Sequence, residues 1–205
     1  MKAYDQYCPI ACSLGLVGER WTLLVVRELM EGPKRYTDLV AGLHGIGTNI
    51  LADRLKELEA AGLVEKRKLP PPAASSVYEL TPAGRQLRPV LHELARFGAR
   101  YLGPPPADAL EEGWLVGALD IAVAPMAGDV TIAFRIGDEE ASIVNGRAVP
   151  GLVTVADAVV TGDALGFYHL FVNGELDGVR IEGDFRLVEQ LVAAFSPTPS
   201  EPLPA

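Results

Sequence analysis

Apolar residues recur at helical spacing through most of the first half of the chain and at strand spacing through much of the second. Leu51, Leu55 and Leu58 fall at i, i+4 and i+7, one stripe of a helix that Thr48 opens as N-cap and Gly62 stops. Before it, Tyr36, Leu39, Val40 and Leu43 share one side of a shorter helix, and His44-Gly45-Ile46-Gly47 supplies the turn between the two. After it, residues 63–69 and 77–81 read as strands joined through the tip 70–76. Upstream, Leu16, Leu23, Leu24, Val26 and Leu29 predict one helix over residues 10–31, ended by Glu31-Gly32-Pro33, with Trp21 as a core or dimer anchor. Downstream, Pro82 takes the tolerated first position of a helix running to residue 102, on which Leu87, Leu91, Leu94, Ala95 and Leu102 keep helical spacing.

The second half has another grammar. Residues 108–123 read as a helix carrying Leu110, Trp114, Leu115, Leu119 and Ile121. Strand-like runs follow at 130–136, 141–144, 152–155 and 158–160, split by Gly-Asp and Asn-Gly turns. Residues 164–172 form an unusually apolar helix, 179–182 a last strand and 185–195 a last helix. The tail 196–205 holds four prolines and no core residues, and is expected to be disordered.

Charge divides the chain at the same place. Residues 1–102 hold fourteen Lys and Arg against eleven Asp and Glu, a net of +3; residues 103–205 hold four against sixteen, a net of −12, and the two give the chain's −9. Read globally, that acidity opposes nucleic acid; read by halves, only the second half does. Gly103-Pro104-Pro105-Pro106 is a short stiff joint. The expected organisation is a DNA-binding and dimerisation domain over 1–102, a Pro-rich linker over 103–107, an α+β domain over 108–196 and a tail over 197–205.

Helix, turn, helix and β-hairpin is the order of a winged helix-turn-helix, which lays its second helix in the DNA major groove. With Leu51, Leu55 and Leu58 inward, Asn49, Ala52, Asp53, Lys56 and Ala60 face outward. Asn suits bidentate pairing with adenine and Lys suits guanine or phosphate; Asp53 has to read a cytosine amino group or brace a cation. Arg54 lies on the flank, where a phosphate is its natural partner. The hairpin adds Lys66 and Lys68 on one side and Arg67 on the other. Arg35, Tyr36 and Thr37, at the head of the shorter helix, join Thr48, Asn49, Asp53, Arg54, Lys56, Lys66, Arg67 and Lys68 as the candidate DNA-binding residues.

The Cys8-Pro9 start, the Arg20-Trp21-Thr22-Leu23-Leu24 helix, the Tyr36-Thr37-Asp38-Leu39 helix and the Tyr78-Glu79-Leu80-Thr81-Pro82 strand end fall in an order that closely resembles the HxlR family of bacterial winged-helix regulators. The resemblance covers about the first hundred residues. It implies a homodimeric transcription factor acting on double-stranded DNA with one recognition helix per protomer. The polar start over residues 1–6 and a cysteine count too small for a disulfide framework make the cytoplasm the expected compartment. Arg20 stands where a Lys is usual, and Phe97 where a Trp is common. The apolar excess on helices 10–31 and 82–102 is what such a dimer would bury.

Ala158-Val159-Val160-Thr161-Gly162-Asp163, residues 170–174 and Ile181-Glu182-Gly183-Asp184 resemble the sterol carrier protein type two superfamily over about ninety residues. That resemblance implies helices laid over a mixed, largely antiparallel sheet, with a tunnel for a fatty acyl or sterol-like ligand. Trp114, Leu165, Phe167, Tyr168 and Phe171 are the candidate lining for a small apolar effector.

Other chemistry is sparse. Cys8, beside the amino end of a helix, is a candidate redox or electrophile sensor, a role the resemblance also implies. Cys12 lies four residues on, where Cβ atoms are ~5–6 Å apart, beyond the ~3.5–4.5 Å of a disulfide. His44, His92 and His169 have no metal-ligand spacing, and His169 among aromatics reads as a core residue. No phosphate loop, cofactor motif or catalytic constellation is evident, and no stretch approaches the ~20 apolar residues of a membrane helix. The expectation is therefore a mixed fold: a regulator that answers to an apolar effector, with thiol sensing through Cys8 as one alternative and a lipid carrier or accessory protein as the other.

Overall fold

The computed structural model describes residues 4–71, 74–99, 101–106, 113–123 and 129–195. The chain divides into two units, one ending at Leu91 and the other beginning at His92. The helix expected over 10–31 is two helices, α1 (Pro9–Val17) and α2 (Thr22–Met30), bent by 79°. The break follows from the backbone at Trp21, which sits in the left-handed region at φ 78° and so cannot continue a right-handed ladder. The bend lets α2 bury Val25, Val26 and Leu29. Trp21, half-buried, packs against the same core.

α3 (Tyr36–Gly42) and α4 (Thr48–Ala60) follow, then the antiparallel hairpin β1 (Val64–Lys68) and β2 (Ser76–Leu80), with Lys66 opposite Tyr78. Leu39 and Leu43 of α3, Ile46 of the turn, the three α4 leucines, Val64 and Leu80 close one core with α2. Lys34 adds a one-residue bridge to Tyr78, N–H to carbonyl in both directions at 3.0 and 2.8 Å. The helix expected over 82–102 is also two: α5 (Pro82–Arg85), capped by the Thr81 hydroxyl, and α6 (Arg88–Ala99). Pro89 is the reason, since it offers no N–H to the Arg85 carbonyl and its ring crowds that position.

In the second unit, α7 (Trp114–Ala122) begins only after Gly113, whose φ of 84° rules out one helix running through it; residues 107–112, with Leu110, lie outside the described residues. A five-stranded sheet follows, built from β3 (Thr131–Ile136), β4 (Glu139–Val144), β5 (Arg147–Pro150), β6 (Ala158–Gly162) and β7 (Val179–Gly183) in the order β5-β4-β3-β6-β7. Only β3 and β6 run parallel. Residues 152–155, expected as a strand, are irregular, and Arg147–Pro150 pairs instead. The Asn145-Gly146 turn decides this: both residues have positive φ, the requirement of the tight hairpin turn that returns Arg147 opposite Val144. Buried Ser142 then pins the following loop, donating to the Gly151 carbonyl and accepting from the Val153 N–H. Pro150 is tolerated because β5 is an edge strand.

Between β6 and β7 lie α8 (Ala164–Tyr168) and a π-helical turn (His169–Asn173), and α9 (Phe185–Phe195) ends the described chain. Ile132, Phe134, Ile143 and Val160 of the sheet share a core with Leu115, Leu119, Phe167, Leu170, Phe171, Val188, Leu191 and Phe195 of the helices. The tail over 196–205 lies outside the described residues.

One charged group belongs to the first core. The Glu28 carboxylate, buried beneath Gly42, accepts from Arg27 at 2.7 Å and from Lys34 at 3.0 Å, and Lys34 also reaches Glu31 at 2.6 Å. Burial alone would raise the Glu28 pKa, but the bonds to Arg27 and Lys34 outweigh it and hold the carboxyl below its ordinary value. Burial alone would lower Lys34, and the bonds to Glu31 and Glu28 hold it above its ordinary value. A depressed carboxyl contributes stability that is present above its unfolded pKa and lost as pH falls through the folded one; a raised lysine contributes below its unfolded pKa and loses its share in alkali. Glu28→Gln should therefore cost about 1–3 kcal/mol at pH 7. The gap from the parent should close as pH falls through the lowered pKa of the folded carboxyl, where the parent itself takes up a proton. Urea unfolding followed by Trp21 fluorescence in a Trp114→Phe background checks both statements.

Candidate nucleic-acid interface

α4 presents its faces as the leucine spacing requires. Leu51, Leu55 and Leu58 are buried, and Asn49, Ala52, Asp53, Lys56 and Ala60 are exposed. The helix starts differently from expectation. Gly47, extended at φ −73° and ψ 141°, is the N-cap, because its carbonyl is the first to accept an intrahelical bond, from Leu51 at 3.0 Å; Thr48 is the first helical residue and is exposed. The Tyr36 hydroxyl donates to the Thr48 carbonyl at 2.6 Å, so the start of α3 holds the start of α4. Asp38 accepts the Arg35 backbone N–H at 2.9 Å, which fixes the start of α3 in turn. Arg35 and Thr37 are exposed, and Tyr36 is half-buried against the core.

Two of the candidate DNA-binding cations are paired with carboxylates. Arg54 is not a free flank cation: its side chain is only 14% exposed, and Nη1 lies 3.0 Å from Glu57 and 3.5 Å from Glu19. Arg67 reaches diagonally across the hairpin to grip Glu79 with both ends of its guanidinium, at 2.6 and 3.1 Å. That grip holds the Glu79 carboxyl below its ordinary range and raises Arg67 further. In each case a carboxylate far off in sequence, Glu19 for Arg54 beside its i,i+3 partner Glu57 and Glu79 for Arg67, comes within reach in the fold. Lys66 stands on the opposite side, its ammonium 5.4 Å from the centre of the Tyr78 ring, and Lys68 is exposed two residues on.

Ile50 was missed by the sequence reading. It is 45% exposed on the first turn of α4, beside Asn49. Its place off the 51-55-58 stripe was the available signal, since a residue one step from a buried position turns 100° away.

Cys8 is the N-cap residue of α1 and half-buried; Cys12 is exposed, and both are free thiols. In the second unit, the expected lining residues separate. Trp114, Phe167 and Phe171 belong to one ring cluster with Phe134 and Phe195, in which Phe167 lies 5.3 Å from Trp114 and 4.6 Å from Phe171. Leu165 is 48% exposed, and Tyr168 is half-buried with its hydroxyl on the Leu102 carbonyl at 2.7 Å, so neither joins that cluster. His169 is not a core residue either. It sits half-exposed on the π turn, with Nδ1 2.9 Å from Asn173 and 3.1 Å from Glu175. Among the described residues no group of three or more His, Cys, Asp or Glu is placed to hold a metal ion, and no single helix is long and apolar enough to cross a membrane.

The HxlR-like helix-turn-helix family matches residues 16–105. The uncharacterized HTH-type transcriptional regulator YvaP of Bacillus subtilis is 30% identical over 101 residues, 49% of this chain and 94% of that protein. The HTH-type transcriptional regulator YodB of the same organism is 35% identical over 98 residues, 47% of this chain and 88% of that one. Among solved structures, the reduced form of YodB covers 49% of this chain and all of its own, at 33% identity and a TM-score of 0.42. With the helix-turn-helix and its hairpin in place and relatives matched over most of their length, the chain belongs to the HxlR family of helix-turn-helix transcriptional regulators.

Proposed function

We propose that this regulator reads DNA through the outward face of α4, with Thr48, Asn49, Ile50, Asp53 and Lys56 toward the bases and Lys66 and Lys68 of the hairpin on the backbone. The observation that carries this reading is the burial of the whole leucine stripe, which leaves those side chains as the exposed face of the second helix. Arg35 and Thr37 flank the same helix start, and Tyr36 positions it through Thr48. Ile50 is suited to a thymine methyl group and Asn49 to adenine. Such a protein works beside the chromosome, in the cytoplasm. Asn49→Ala should weaken the specific site by ~1–3 kcal/mol and relax preference at one base pair. Lys66→Ala should weaken all sequences alike and flatten the salt dependence by about one unit. Fluorescence anisotropy on operator and scrambled duplexes across a salt series measures both, and unchanged binding by both variants sinks the groove assignment.

The working form we propose is a homodimer. Val90, Leu94, Phe97 and Tyr101 recur at i, i+4, i+7 and i+11 and are 44, 45, 57 and 49% exposed; Ile10 and Leu14 make a second exposed apolar face on α1. A second copy of the chain is the economical cover for such stripes. Two half-sites about 34 Å apart, or a multiple of it, are then expected. Leu94→Asp combined with Phe97→Asp should shift sedimentation from dimer to monomer at micromolar concentration and abolish footprinting of the paired site.

For the second unit we propose a sterol-carrier-like domain that binds an apolar effector. A mixed, largely antiparallel sheet carrying helices is the architecture that resemblance implies, and the Trp114–Phe167–Phe171 ring cluster is its most aromatic interior. An effector can act only through unequal affinity for two forms of the regulator; a coupling of ~1–3 kcal/mol changes operator affinity ~5–150-fold. Operator affinity of the full chain should respond to at least one compound in a panel of fatty acyl, sterol-like and aromatic molecules. No response, together with loss of binding after thiol alkylation that Cys8→Ser prevents, would move the sensing role to the partly exposed thiol at the head of α1.

A further inference from the structure

We infer that Arg54, although it lies on α4, is a positioning residue for that helix and not one of its DNA contacts, and that it acts through Glu19 in the linker between α1 and α2. The inference rests on the reading that α4 enters the major groove. Arg54 follows Asp53 on the outward side and precedes Leu55 on the inward side, so its long side chain can lie along the boundary between the two. It does so: Nη2 donates to Glu57 at 3.3 Å, Nη1 lies 3.0 Å from Glu57 and 3.5 Å from Glu19 as an ion pair, and Nε and Nη1 are shielded from solvent without a hydrogen-bond partner among the described residues. A phosphate would have to displace two carboxylates from a largely desolvated guanidinium.

The other end of the clasp is held as firmly. The Glu19 carbonyl accepts the Thr22 N–H at 3.1 Å, Trp21 is locked in the left-handed region at φ 78°, and the Arg20 guanidinium lies 5.5 Å from the indole centre. α1 packs on α4 directly as well. The leucine stripe buries one side of α4, and Tyr36 holds its first turn through the Thr48 carbonyl, which leaves rotation of the later turns resisted by packing. A charge pair from the flank to a fixed linker resists that rotation, and a rotation of a few degrees moves the tips of Asn49 and Lys56 most.

Two roles for Arg54 predict opposite signs for Glu19→Gln. If Arg54 positions the helix, losing the Glu19 charge loosens α4 and operator affinity falls about three- to tenfold per dimer with the salt slope unchanged. If Arg54 binds phosphate, the same change frees a cation and removes a competing anion, so affinity rises. The experiment is operator anisotropy of the full-length protein across a salt series for wild type, Glu19→Gln, Arg54→Ala, the double variant and Lys56→Ala, with thermal unfolding of each. Expected are lower affinity for Glu19→Gln and Arg54→Ala, parallel salt slopes, and a double variant no weaker than Arg54→Ala alone. Unchanged or raised affinity for Glu19→Gln, or a slope flattened by about one unit in Arg54→Ala, overturns the inference. Because Glu19 lies in the α1–α2 linker and is argued to act on the setting of α4, the loss of affinity should also persist at temperatures far below the unfolding midpoint of that variant; a loss that tracks unfolding alone overturns it too. Lys56→Ala guards the underlying reading: if it leaves both affinity and slope unaltered, α4 is not the groove helix, a failure separate from that of the clasp.

Discussion

The burial of Leu51, Leu55 and Leu58 is the constraint on which the regulator's first unit depends. Each fully buried leucine contributes roughly 1.5–3 kcal/mol relative to exposure, and three on one stripe leave α4 a single rotational setting. The outward face is then dictated to within the few degrees that other contacts decide. The remaining contacts refine that setting. Tyr36 holds the first turn through the Thr48 carbonyl, and Gly47 caps it with its backbone alone. Absence of a side-chain cap leaves the Thr48 hydroxyl exposed at the end of the helix where an anion is electrostatically favoured.

Counting cations along the first half overstates what reaches DNA. Arg27 and Lys34 neutralise the buried Glu28, Arg54 sits between Glu19 and Glu57, and Arg67 is gripped by Glu79. Each pair does structural work: the first ties α2 to the approach of α3, the second ties α4 to the α1–α2 linker, and the third stiffens the hairpin. Lys56, Lys66 and Lys68 occupy exposed positions instead, and lysine, a flexible point charge, suits phosphates better than a committed guanidinium does. The modest +3 of the first half is thus divided between scaffold and interface by residue type.

How much could be read from the sequence follows the same physics. Periodicity found α4 with its correct faces and found α9 at residues 185–195, because a long amphipathic stripe has one cheap burial. It failed where a single residue overrides the stripe. Pro89 divides the helix expected over 82–102, Trp21 divides the one expected over 10–31, and the Asn145-Gly146 turn selects Arg147–Pro150 over the more apolar run at 152–155. The i,i+3 spacing of Arg54 and Glu57 was open to reading, but the pairs Arg54–Glu19 and Arg67–Glu79 were not, since those carboxylates lie 35 and 12 positions away and only the fold brings them near. The outward residues of α4 were legible as a face; the Glu19 pair on its flank was not.

The charge asymmetry between the halves bears on how binding should respond to salt. A first half near neutrality gains affinity through a few placed lysines, while sixteen acidic residues against four basic ones in the second half repel the same phosphates. Both terms are screened, but not alike. Direct lysine–phosphate contacts act through counterion release and weaken steadily as salt rises, whereas repulsion over more than ~8–10 Å is already largely lost at physiological salt. Raising salt from a low starting value therefore removes long-range repulsion and direct attraction together, and the net slope comes out shallower than the number of lysine–phosphate contacts alone would give. On the proposed reading of the α4 face, an acidic second half disfavours indiscriminate binding to any duplex more than it disfavours a site held by base contacts, because hydrogen bonds to bases add a term that salt does not release. On this argument the acidity that opposes nucleic acid in the overall composition works in favour of selectivity.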